Sequence, residues 1–82
     1  MEQAAIYATL AQVFRDVFDD EIELRPDLSA ADVDGWDSLT HIRLMLTAEK
    51  AFRVKFSTSE IGSLKNVGDL VRLIEKHAKR SA

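Results

Sequence analysis

Apolar residues recur at helical intervals along the first eighteen positions. Ile6, Leu10, Val13, Phe14, Val17 and Phe18 follow an i, i+3, i+4, i+7 spacing, which predicts an amphipathic helix over 4–18. The pattern then breaks. Asp19-Asp20-Glu21 is too charged to bury, and Arg25-Pro26-Asp27 is a turn signal. Leu24, Leu28, Val33 and Trp36 are irregularly spaced and are expected to pin a long loop onto the helices. Asp37 and Ser38 can each cap a second helix, whose broad apolar face reads Leu39, Ile42, Met45, Leu46, Ala48, Ala51 and Phe52. Val54 and Phe56 alternate with Arg53 and Lys55 as a short extended link. Ser57-Thr58-Ser59-Glu60 has capping-box spacing and predicts a short helix near 57–63. Asn66-Val67-Gly68-Asp69 opens a last helix near 67–79, carried by Val67, Leu70, Val71, Ile74 and Ala78.

The expected fold is all-α: a small bundle of three main helices and one short one, with a long loop between the first and second. The expected shared core is Val13, Phe14, Val17, Leu46, Phe52, Val54, Ile61, Leu64, Leu70, Val71 and Ile74. Long ordered loops in small domains are often functional.

Length limits what this fold can do. A single domain spanning 1–82 buries roughly 60–65% of the surface its unfolded chain exposes. That allows one layer of core side chains and leaves little to enclose a catalytic pocket. The chain has no cysteine, which excludes disulfides, thiolate metal sites and a thiol nucleophile of its own. No apolar run reaches the length of a membrane span, and the N-terminus lacks the basic start of a secretory signal. The expectation is a cytoplasmic monomer. Charge is uneven: residues 1–37 carry ten acids and two bases, residues 38–82 four acids and nine bases. Two surfaces with different partners, or ordinary solvated helix faces, both accommodate this.

The informative stretch is Asp34-Gly35-Trp36-Asp37-Ser38-Leu39-Thr40-His41-Ile42. It presents a serine where an acidic loop meets a helix start. Backbone N–H groups point outward there, and the helix dipole favours an anion such as a phosphodiester on the serine oxygen. Leu39 falls at the rim of that face. On local chemistry alone, Asp-Ser before an apolar helix reads as a cap.

The wider pattern resembles the acyl carrier protein family. Asp37-Ser38-Leu39 opens the second helix, and Gly35-Trp36-Asp37-Ser38-Leu39 is similar to the motif of carriers in polyketide and related pathways. Ile42, Met45, Ala51-Phe52 and Asn66-Val67-Gly68-Asp69-Leu70 follow the family pattern, so the resemblance spans nearly the whole chain. It implies that Ser38 receives 4′-phosphopantetheine from coenzyme A and carries an acyl thioester, with no catalysis by the chain itself. It also implies that Asp37 orients the phosphopantetheinyl transferase. Leu39, Ile42, His41, Arg43 and Glu49 then become candidate contacts for the enzymes that load and process the acyl group.

One departure narrows the expectation. Thr40, Arg43, Lys50 and Ala51 occupy positions that are often acidic in carriers of primary fatty acid synthesis, and Glu49 is the only acid between Ser38 and Phe56. Opposite charges steer docking, so a specialised acyl pathway is expected. Met1 and the absence of long linkers point to a free-standing protein. The rivals are an aminoacyl carrier, which usually has glycine and histidine before the serine, and a non-covalent helical adaptor. A Ser38–His41 hydrolase lacks an evident oxyanion hole and substrate pocket. Two histidines and no cysteine argue against a structural metal site. A calcium loop fails at Ala30 and His41. Lys76, Lys79 and Arg80, in a chain of net charge −3, read as a solvated helix end and not as a nucleic-acid site.

Overall fold

The computed structural model describes residues 2–81, with side chains through residue 78. The described residues form four helices and no strand: α1 (Gln3–Phe18), α2 (Ser38–Phe52), α3 (Thr58–Ser63) and α4 (Val67–Ser81). A single 3₁₀ turn, Ala30–Asp32, interrupts the long α1–α2 loop. α1 packs against α2 and, less extensively, against α4.

Each boundary has a local cause. α1 ends where Asp19 enters the left-handed region (φ 54) and its N–H bonds the Arg15 carbonyl. α2 starts at Asp37, whose carboxylate accepts from the Thr40 N–H at 2.9 Å. It ends in the same way as α1, at a left-handed Arg53 (φ 56). Ser57 and Glu60 form the expected capping box on α3: the Glu60 N–H donates to Ser57 Oγ and the Ser57 N–H to Glu60 Oε1. At α4 the Asp69 N–H donates to Asn66 Oδ1 at 2.9 Å. The basic end expected for α4 falls partly on Lys79 and Arg80, whose side chains lie outside the described residues.

The core gathers Ile6, Leu10 and Phe14 from α1, Leu44, Met45 and Ala48 from α2, and Val67, Leu70, Val71 and Ile74 from α4. Each large apolar side chain buried this way contributes roughly 1.5–3 kcal/mol. Leu28 anchors the long loop in this core, while Leu24, Val33 and Trp36 pack against its edge. Val54 and Phe56 are buried and Lys55 is exposed, as the alternation in the link implies.

The expected core needs one correction. Leu46 is 52% exposed, and Leu44 is fully buried in its place. Successive residues turn about 100° around a helix. Leu39, Ile42 and Leu46 therefore share one side of α2, and Leu44, Met45 and Ala48 the opposite side. Both sides are apolar, so periodicity alone does not say which one faces the bundle. Val17, Phe52, Ile61 and Leu64 are only half-buried.

The loop does more than span a gap. The Val67 N–H bonds the Leu28 carbonyl and the Gly68 N–H bonds the Pro26 carbonyl, both at 2.9 Å. The first amides of a helix lack partners within it, and here the loop supplies two acceptors.

Candidate functional site

Ser38 is the first residue of α2, immediately after the capping Asp37. Its side chain is exposed, and its hydroxyl makes no hydrogen bond to any described residue. The cap is Asp37 alone, so the serine has no structural task at this helix end. The Asp37 carboxyl is held below its ordinary value, chiefly by the hydrogen bond from the Thr40 backbone. The Ser38 oxygen thus sits at the positive end of a helix of 15 residues, where a phosphodiester is electrostatically favoured.

Beside Ser38 an open cleft of about 720 Å³ runs between α2 and α3. Its walls are mainly apolar, with Trp36, Ile42, Ile61 and Leu64 among them, and Ser38 and His41 also line it. A second recess, between α3 and α4, is walled instead by Glu60, Lys65, Asp69, Arg72 and Lys76. The cleft next to the serine is therefore the one suited to hydrocarbon.

The other residues singled out from the sequence divide into two groups. Leu39 (71% exposed), Ile42 and Leu46 form an open apolar stripe on α2. Arg43 and Lys50 are exposed on the same side. His41 and Glu49 do not join them. The Trp36 Nε1–H donates to His41 Nδ1 at 3.0 Å, and His41 Nε2 lies 3.0 Å from the Ile61 carbonyl. Glu49 Oε2 accepts the Phe56 N–H at 2.7 Å. These polar atoms face inward and hold the fold, which leaves the basic residues to set the charge of the stripe. With both imidazole nitrogens engaged, His41 is not placed to take a proton from Ser38, so the arrangement is not that of a hydrolase.

Sequence reading missed the Trp36–His41–Ile61 connection. Trp36 and His41 straddle the helix start, but no local spacing rule marks them as partners.

The bundle, the long stitched loop and an exposed serine opening the second helix define a small helical carrier fold. No family model matches the chain. It is similar to a solved structure, the solution NMR structure of the holo acyl carrier protein from Geobacter metallireducens. The two are 44% identical, with a TM-score of 0.84, over 90% of this chain and 86% of that chain. The chain belongs to the acyl carrier protein family, whose members are carriers and not enzymes. No described helix is long and apolar enough to cross a membrane.

Proposed function

We propose that Ser38 is the attachment point of a 4′-phosphopantetheine arm and that the protein carries acyl groups on it as thioesters for a specialised pathway. The observation that carries this is the exposed, unbonded hydroxyl of Ser38 at the start of α2, beside an apolar cleft. When bound, the group supplies a terminal thiol on a flexible arm, which the cysteine-free chain lacks. The chain's own residues do the rest. The N-terminal amides of α2 offset the phosphodiester charge. Asp37, ionised and fixed by its cap, offers the modifying transferase an oriented carboxylate. Trp36, Ile42, Ile61 and Leu64 offer the cargo an apolar surface. The match to a holo acyl carrier protein supports an acyl over an aminoacyl cargo.

Partner enzymes dock on the outer stripe of α2. Leu39, Ile42 and Leu46 supply apolar area, and Arg43 and Lys50 impose positive charge beside it. Like charges repel across an interface, so enzymes with strongly basic docking patches are poor partners. This supports a dedicated acyl pathway over primary fatty acid synthesis. Efficient turnover by a fatty acid synthase ketosynthase would remove that part of the reading.

The central test is intact mass after incubation with coenzyme A, magnesium and a broad-specificity phosphopantetheinyl transferase. Wild type should gain one phosphopantetheine, and Ser38→Ala should gain none while keeping its helical circular dichroism. No gain in wild type, or an undiminished gain in Ser38→Ala, would refute the assignment.

A further inference from the structure

We infer that His41 is a specificity-determining residue: by bridging Trp36 to Ile61 it closes the passage from Ser38 into the bundle, so the cargo stays in the outer cleft. The inference rests on Ser38 being the attachment point.

Ser38 and His41 lie one turn apart on α2 and so share a side of it. Trp36, His41 and Ile61 all line the cleft between α2 and α3 that opens beside Ser38, and their bonds tie the residues on its inner side together. Tryptophan only donates, so His41 Nδ1 must accept the Trp36 Nε1–H. Nε2 then carries the ring proton and donates to the Ile61 carbonyl, which ties α2 to α3. The imidazole is half-buried and lies nearly parallel to the indole, at 20° with centroids 6.1 Å apart. Trp36 is itself braced edge-on by Phe14 at 5.5 Å and Phe18 at 6.1 Å, both from α1. The bridge therefore connects loop, α2 and α3 and is backed by α1.

Over the next two turns of α2, Leu44, Met45 and Ala48 are fully buried. An acyl chain entering at this point would have to part His41 from Ile61 and from Trp36. It would leave an indole N–H and a peptide carbonyl facing hydrocarbon, and unpaired buried polar groups are costly. The outer cleft carries no such penalty. Its walls are already apolar, and Gly62 at its edge adds no side chain.

The test uses protein loaded at Ser38 with butanoyl- or dodecanoyl-phosphopantetheine, confirmed by intact mass. Hydroxylamine cleavage of the thioester is then timed. In wild type the two acyl groups should be released at similar rates. In His41→Ala the dodecanoyl group can enter, and its release should slow roughly tenfold or more relative to butanoyl, the factor expected from two lost hydrogen bonds. His41→Gln can still accept and donate, and should restore wild-type behaviour. Trp36→Phe keeps the ring but removes the N–H, and should give an intermediate ratio. In His41→Ala, but not in wild type, the long chain should also raise the thermal midpoint.

A wild-type protein that already protects dodecanoyl overturns the inference, as does a ratio unchanged in His41→Ala. If His41→Ala fails to fold, Trp36→Phe decides by the same criterion. Loading without a His41-dependent ratio sinks this inference and leaves the carrier reading intact. Failure to load at Ser38 sinks both.

Discussion

Leu44 and Leu46 are chemically identical, two residues apart on one helix, and placed on opposite sides of it. Leu44 is fully buried and Leu46 is 52% exposed. Truncating a buried leucine to alanine removes its transfer free energy and leaves a cavity, together about 2–5 kcal/mol. A domain of this length has a total stability of roughly 4–12 kcal/mol. Leu44→Ala should therefore cost a large fraction of the fold. At about 3 kcal/mol, the thermal midpoint should fall by roughly 12–24 °C. Leu46→Ala should change stability by no more than about 0.5 kcal/mol while weakening turnover by partner enzymes. Urea unfolding followed by Trp36 fluorescence reads both, because the single tryptophan packs against Phe14 and Phe18. Its midpoint should shift for Leu44→Ala without a change in slope. If Leu46→Ala proved as damaging as Leu44→Ala, the stripe would be core and the docking surface would not exist.

Other outcomes follow from local geometry. A Cβ on Gly68 would lie 3.0 Å from the Pro26 carbonyl oxygen, so Gly68→Ala should destabilise by about 1–3 kcal/mol. An exposed helical glycine would instead gain about 1 kcal/mol from alanine, and a gain in urea midpoint would refute the close approach. Asp37→Ala, but not Asp37→Asn, should speed exchange of the Thr40 amide, since asparagine still offers the capping oxygen; equal exchange in both would dismiss the cap. The Glu60 carboxyl is held below its ordinary value by the Ser57 backbone N–H and then by His77. A depressed carboxyl adds stability that is present above the unfolded value and lost as pH falls through the folded one. Stability should therefore decline on the acid side of the ordinary glutamate range, and Glu60→Gln should flatten part of that decline in pH-dependent urea titrations. An unchanged acid slope would argue that Glu60 makes no difference.

Much of this architecture is readable from residue order. Helix ends marked by Asp37, Ser57-Glu60 and Asn66-Asp69 follow local hydrogen-bonding rules that hold in any tertiary setting. The same holds for Ser38, whose place at a helix start follows from the Asp-Ser-Leu triplet. Periodicity misplaced Leu46 on α2 because it shares a helical face with Leu39 and Ile42, and that face is half or more exposed. α2 is apolar on two sides, and sequence alone does not say which of them the bundle buries. His41 and Glu49 escaped for a different reason. Their partners, Ile61 and Phe56, lie on later segments, and only the folded chain brings them within reach.

The two bonds from Val67 and Gly68 to the Leu28 and Pro26 carbonyls make the long loop and the last helix a single cooperative unit. Neither can come loose without exposing the other. Although Arg25, Pro26 and Asp27 are exposed, a protease must pull this part of the loop away from α4 before it can cut. The connector that looks most vulnerable to nicking is thus guarded by the first residues of α4, and removing them would unlock it.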